Sequence, residues 1–189
     1  MRTEVRFAGF GGQGIIRSGL ILSMATCIYS DKNAVQTQSY GPESRGGSCK
    51  SEVVIADEEI DFPKVDDPDI IMILSQEAYH KYVNTAKKDA IILVDPDMVT
   101  ERSDPLDAKI YDVPAAKLAG EIGKAIVANV VMLGALTAIT NIVTSEAMKK
   151  AILRNVPKGT EKLNMTAFEK GYDYGKQLLK AKANMSKLH

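Results

Sequence analysis

The sequence predicts an α/β fold: a mostly parallel but mixed sheet, a Rossmann-like first βαβ unit and a helical C-terminus. Three observations carry that reading. The glycine turn "GFGGQG", residues 9–14, joins the apolar run "EVRFAGF" to a segment of helical periodicity. Two short apolar runs, "DIIMILS" and "AIILVD", flank a helix-like stretch, the pattern of buried strands in an α/β sheet. From Ala115 onward the chain is mainly helix-like.

Taken in order, "EVRFAGF" is the first strand. Residues 14–29 follow as a helix, with Ile15, Leu22, Ala25 and Ile28 at helical spacing and Ile21 beside them. "AVQTQSY" is a second strand, reached by a helical crossover, so parallel pairing with the first is expected. "GPESRGG", residues 41–47, is a loop dense in turn formers. "SCKSEVVIA" is a third strand, and with no helix before it an antiparallel pairing with the second makes the sheet mixed. Between "DIIMILS" and "AIILVD" a helix is expected over 75–88, with Ser75 as N-cap and Glu77 against the helix dipole. "AKIYDVP" adds a short strand ending at Pro114. Helices are expected over 115–123, 126–142, 144–155 and 162–183, the last two separated by Pro157 and Gly159. No repeat or linker breaks the pattern, and residues 1–189 read as one domain.

Composition excludes several classes of function. Lys plus Arg and Asp plus Glu number 24 each, so no net field draws nucleic acid or an anionic membrane. No basic stripe is visible either. Cys27 and Cys49 stand alone without a C-x-x-C, and His80 and His189 are the only histidines. That excludes a cysteine-ligated iron–sulfur cluster within the chain and argues against structural zinc. Two scattered cysteines suit reduced thiols in a cytoplasmic protein. The N-terminus runs straight into a strand, so no signal peptide is expected. "AIVANVVMLGALTAI", residues 125–139, is too short to span a membrane and reads as a buried helix. Within it, Asn129 is either satisfied in the core or hydrogen-bonded toward the glycine turn, and Gly134 with Ala135 permits close helix contact. His80 reads as a surface residue and the eight methionines as core filling. Asp95 and Asp97 flank Pro96 in a post-strand turn rather than forming a metal pair; no metal site is expected.

Gly9, Gly11 and Gly14 fit the G-x-G-x-x-G pattern of a dinucleotide-binding turn. Such glycines let a pyrophosphate approach the backbone, and the following helix offers free N–H groups. The acid that should hold the ribose at the end of the second strand is missing, because that strand ends in "TQSYG". Asp31 lies at the right count but in the turn "SDKN", before the strand. The residues alone leave three uses of the turn open: a dinucleotide, close helix–sheet packing, or another anionic ligand. In the second loop, Arg45 with its neighbouring glycine N–H groups can hold a phosphate or carboxylate, or can pair with Glu43 in solvent.

"GFGGQG" followed about 25 residues later by "SYGPESRGG" resembles the gamma subunit of the 2-oxoacid:ferredoxin oxidoreductases. The resemblance extends through "ILVDPDMV", "YDVPAAKLAGEIG", "ANVVMLGAL" and "FEKGYDYG". The "TQSYGPESRGGSCKSEVVI" form is most similar to the 2-oxoglutarate enzymes. It implies a three-layer α/β/α domain in a complex that decarboxylates a 2-oxoacid on thiamine diphosphate, forms an acyl-CoA and reduces ferredoxin. Thiamine diphosphate is then held by the alpha and beta chains, and the iron–sulfur clusters sit in beta or in a small ferredoxin-like delta chain. By the same resemblance, Gly11, Gly12, Gln13 and Gly14 face the cofactor region. Ser39, Tyr40, Gly41, Arg45, Gly46 and Gly47 face CoA or a neighbouring subunit, and no residue here is expected to be catalytic. Glu43 is expected to pair rather than transfer a proton. A free-standing nucleotide- or CoA-binding protein and a purely structural subunit are the alternatives. An isolated chain of this kind is expected to form homodimers through apolar surface meant for partners.

Overall fold

The computed structural model describes residues 1–40 and 48–185. Six strands form one sheet: β1 (Arg2–Phe10), β2 (Asn33–Tyr40), β3 (Ser48–Ala56), β4 (Ile70–Ile73), β5 (Ile91–Val94) and β6 (Lys109–Asp112). The helices are α1 (Ile15–Tyr29), α2 (Gln76–Tyr82), α3 (Ala115–Glu121), α4 (Ala128–Thr140), α5 (Ser145–Asn155) and α6 (Glu161–Met185). Short 3-10 turns at Val83–Thr85 and Ala125–Val127 adjoin α2 and α4. The helix expected over 126–142 is therefore shorter, closed by Asn141 in the left-handed conformation. Ser75 caps α2 by accepting from the Ala78 N–H.

The strand order is β2-β3-β1-β4-β5-β6. β1, β4, β5 and β6 run parallel, while β3 is antiparallel to both β1 and β2. The mixed sheet is as expected, but the expected pairing of the first two strands is not. β2 runs in the same direction as β1, and β3 lies between them. Burial explains the order: Val53, Val54, Ile55 and Ala56 of β3 are all buried, so β3 takes an inner place. β2, with Gln36, Thr37, Gln38 and Ser39, is polar enough to stand at the edge.

Alternation along the strands sends side chains to two unequal layers. Val5, Phe7, Val53, Met72 and Leu93 belong to the larger cluster, beneath α1 and the long helices that follow β6. Ala8, Ile71, Ile73, Ile92 and Val94 pack instead against Ala78, Tyr79 and Tyr82 of α2. The result is the α/β/α arrangement, thick on one face and thin on the other. Every residue of α4 from Asn129 to Ile139 is buried, which accounts for its all-round hydrophobicity. Among the described residues no helix is long and apolar enough to cross a membrane.

Under the thin layer Arg6 and Glu52, register partners on β1 and β3, form a buried ion pair at 2.6 Å. Arg6 also donates to Thr85 Oγ1 and the Val65 carbonyl, and Glu52 also accepts from Lys50. Each charge is thus hydrogen-bonded more than once, the condition under which a buried pair is tolerated.

Candidate functional site

The parallel strands all end at one edge of the sheet, where ligands of open α/β folds bind. The antiparallel strand brings the second predicted segment to the same place. Phe10, the last residue of β1, is opposite Ser48, the first of β3, and Tyr40 at the end of β2 is opposite Cys49. The glycine turn and both ends of the 41–47 connection therefore share an edge. Ser39 is exposed there, and Gly11 and Gly12 are exposed in the turn. Gly41, Arg45, Gly46 and Gly47, with Glu43, lie outside the described residues.

Within the turn, Gly12 and Gly14 are left-handed, φ 100° and 75°. A Cβ at Gly14 would lie 2.5 Å from Asn129 Nδ2. Asn129, 5% exposed, donates to the Gly14 carbonyl at 3.4 Å, so it is satisfied in the core by a bond directed at the turn. Gln13 bends back into the structure. Its Oε1 accepts from the Phe10 N–H at 2.9 Å and its Nε2 donates to the Leu74 carbonyl at 2.7 Å. The side chain thereby ties the end of β1 to the end of β4.

Gly14 caps α1 without a side-chain hydrogen bond, and no acidic residue occupies the first turn. The first intrahelical bond is Ser18 N–H to the Gly14 carbonyl, which leaves earlier N–H groups pointing out of the helix end. Arg17 is exposed beside them and forms no ion pair among the described residues. Two hollows flank Gly12. One, of about 290 Å³, is lined by Gln13, Leu74, Asp95, Met98 and Ala116; the other, of about 540 Å³, by Phe10, Arg17, Leu20, Cys49 and Asn129. Ile126, 75% exposed, borders both.

Asp95 is fully buried at the end of β5. Its two carboxylate oxygens accept from the N–H groups of Asp97 and Ala116 at 3.0 and 2.8 Å. Burial pushes its carboxyl up, and those N–H groups hold it partly back. The carboxylate is committed to shaping a turn and starting α3, as the Pro96 reading expects. Cys49 is also buried, and desolvation raises its thiol. Both cysteines are free thiols. His80 is exposed and lies 2.9 Å from Gln76 Nε2.

The sequence did not point to Ile126 or Arg17. An exposed isoleucine inside a continuous apolar run carries no periodic signal, and Arg17 resembles any solvated helix arginine.

The family model described as "Pyruvate ferredoxin/flavodoxin oxidoreductase" matches residues 4–174. The chain belongs to this family. Two relatives of this oxidoreductase-family chain span almost its entire length. It is 57% identical to 2-oxoglutarate synthase subunit KorC of Methanocaldococcus jannaschii, over 94% of this chain and 96% of the relative. The corresponding subunit of Methanothermobacter marburgensis is 48% identical over 90% of this chain and 95% of its own. Among solved structures, a keto/oxoacid ferredoxin oxidoreductase gamma subunit from Geobacter sulfurreducens is 42% identical, with a TM-score of 0.82 over 92% of this chain and 98% of that one. A 2-oxoglutarate:ferredoxin oxidoreductase from Magnetococcus marinus, with 2-oxoglutarate, coenzyme A and succinyl-CoA bound, is 25% identical with a TM-score of 0.85. That match covers 94% of this chain and 31% of the larger one.

Proposed function

We propose that this chain is the gamma subunit of a 2-oxoglutarate:ferredoxin oxidoreductase, active only as part of its complex. The observation that carries the reading is its end-to-end similarity to 2-oxoglutarate synthase subunits of matching length. In this reading the edge holding the glycine turn serves the CoA region of a shared active site. Gly11 and Gly12 provide exposed backbone just before the positive end of α1, which favours an anionic ligand such as a phosphate. Ser39, Tyr40, Gly41, Gly46 and Gly47 serve CoA or a neighbouring subunit, and Arg45 meets a CoA phosphate or a partner carboxylate. Gln13 acts by holding the turn, since both ends of its amide are engaged within the fold. The apolar rim of Phe10, Leu20 and Ile126 receives a partner subunit. Thiamine diphosphate belongs to the alpha and beta chains, and the iron–sulfur centres to beta or a ferredoxin-like delta chain.

The test is reconstitution. The chain is expected to co-purify with thiamine-dependent alpha and beta chains. The assembled complex should oxidise 2-oxoglutarate in preference to pyruvate and branched-chain 2-oxoacids, with turnover dependent on CoA. A chain that purifies alone and binds CoA unaided would support a free-standing binding protein instead.

A further inference from the structure

The two hollows beside Gly12 differ in what they leave unsatisfied. In the larger, which reaches Cys49 of β3, Arg17 is exposed and forms no ion pair with a described residue. No acidic side chain lines this hollow among the described residues, and α1 opens into it at Gly14 and Ile15. Asn129 lines it too, although it is buried. Its Nδ2 is engaged at the Gly14 carbonyl, but its Oδ1 accepts from no described residue. Among those residues no buried side-chain nitrogen or oxygen is left without a partner, so this oxygen reaches the hollow. A buried amide held in this way calls for a donor from outside the chain.

The smaller hollow, beside the ends of β4 and β5, is complete in itself. Gln13 commits both ends of its amide to Phe10 and Leu74, and Asp95 commits both oxygens to Asp97 and Ala116. What remains is apolar: Leu74, Met98, Ala116, Ala125, Ile126 and Ala128. No cation lines it among the described residues, so it suits an uncharged group and not an anion. Gly12 borders both hollows, and a Cβ there would meet nothing within 4 Å, so the passage over it is open.

We infer that the two hollows form one seat, for a ligand with a phosphate-type anion at one end and an uncharged arm at the other. The anion lies with Arg17 and the free N–H groups at the start of α1. Asn129 Oδ1 accepts from an N–H or O–H of the same ligand. The arm crosses Gly12 and lies along Leu74 and Met98. Arg17 and Asn129 are thereby binding residues, and the direction of the ligand is set: anion toward β3, arm toward β5. The ligand's name rests on the gamma-subunit reading. In that reading it is CoA, with its phosphates at Arg17 and its pantetheine arm in the smaller hollow.

The test is titration calorimetry on the assembled complex, with CoA, ADP and pantetheine as separate probes. ADP carries the anionic end without the arm, and pantetheine carries the arm without phosphates. Arg17→Ala is expected to weaken CoA and ADP about tenfold each and to leave pantetheine unchanged. Arg17→Lys, which keeps the charge, should recover part of the loss. Ala116→Leu narrows the smaller hollow and should weaken CoA and pantetheine about tenfold while sparing ADP. Ala125→Leu, at an exposed position of that hollow, should repeat the pattern without touching the start of α3. An Arg17→Ala complex with wild-type affinity for CoA and ADP would overturn the inference, as would a loss of pantetheine binding in place of ADP. So would wild-type pantetheine binding in both leucine variants. A wild-type complex that binds no CoA would sink the gamma-subunit reading of this edge, and the inference with it.

Discussion

Gly14 is where one atom more would disturb two elements at once. Its backbone is left-handed, and its missing Cβ leaves the space that Asn129 occupies. Gly14→Ala is expected to destabilise the chain by about 1–2 kcal/mol through the backbone alone, and further through displacement of Asn129. In an Asn129→Ala background the same change should cost less, because the clash is gone, and urea unfolding of the four proteins measures the difference. Gly14 itself was legible from "GFGGQG". Its partner was not, because Asn129 lies 115 residues away and reaches the turn only through the packing of α4. Asp95 was legible as a turn former from the adjacent proline, whereas its bond to Ala116 depends on where α3 begins.

At the scale of elements, α4 and α6 pack backbone to backbone at two glycines. A Cβ at Gly134 would run into the Phe168 carbonyl oxygen, and one at Gly171 into the Val131 carbonyl oxygen. Gly134→Ala or Gly171→Ala is expected to lower stability by about 1–3 kcal/mol, since backbone cannot step aside as a side chain can. Gly120, in α3 with nothing near its Cβ position, behaves oppositely: Gly120→Ala should stabilise by about 0.5 kcal/mol. Thermal or urea unfolding of the variants checks both signs. The close contact at Gly134 could be anticipated from "MLGAL", although the helix opposite it could not. Strand identities followed from periodicity, yet the place of β2 did not. A crossover helix implies direction, and β2 does run with β1, but it does not imply adjacency. Adjacency was decided by the greater apolar burial of β3, which only the assembled sheet displays.

Across the whole molecule, the layout concentrates chemistry at one edge. Four parallel strands, a glycine turn closed by Gln13 and Asn129, and both ends of the β2–β3 connection converge there. That convergence was not visible from either motif alone. Residues 9–14 and the end of β2 are separated in sequence by α1 and β2, and the antiparallel return of β3 brings Tyr40 and Ser48 to the edge where Phe10 ends β1. The absence of an acid at the end of β2 already weakened the dinucleotide reading, and similarity to the 2-oxoglutarate synthase subunits directs attention to CoA instead. The most direct measurement is the CoA dependence of the reconstituted complex carrying Arg45→Ala. The account predicts a CoA KM raised about tenfold, equivalent to about 1.4 kcal/mol, with the KM for 2-oxoglutarate unchanged. A fully assembled Arg45→Ala complex whose CoA KM equals that of the wild type would contradict it.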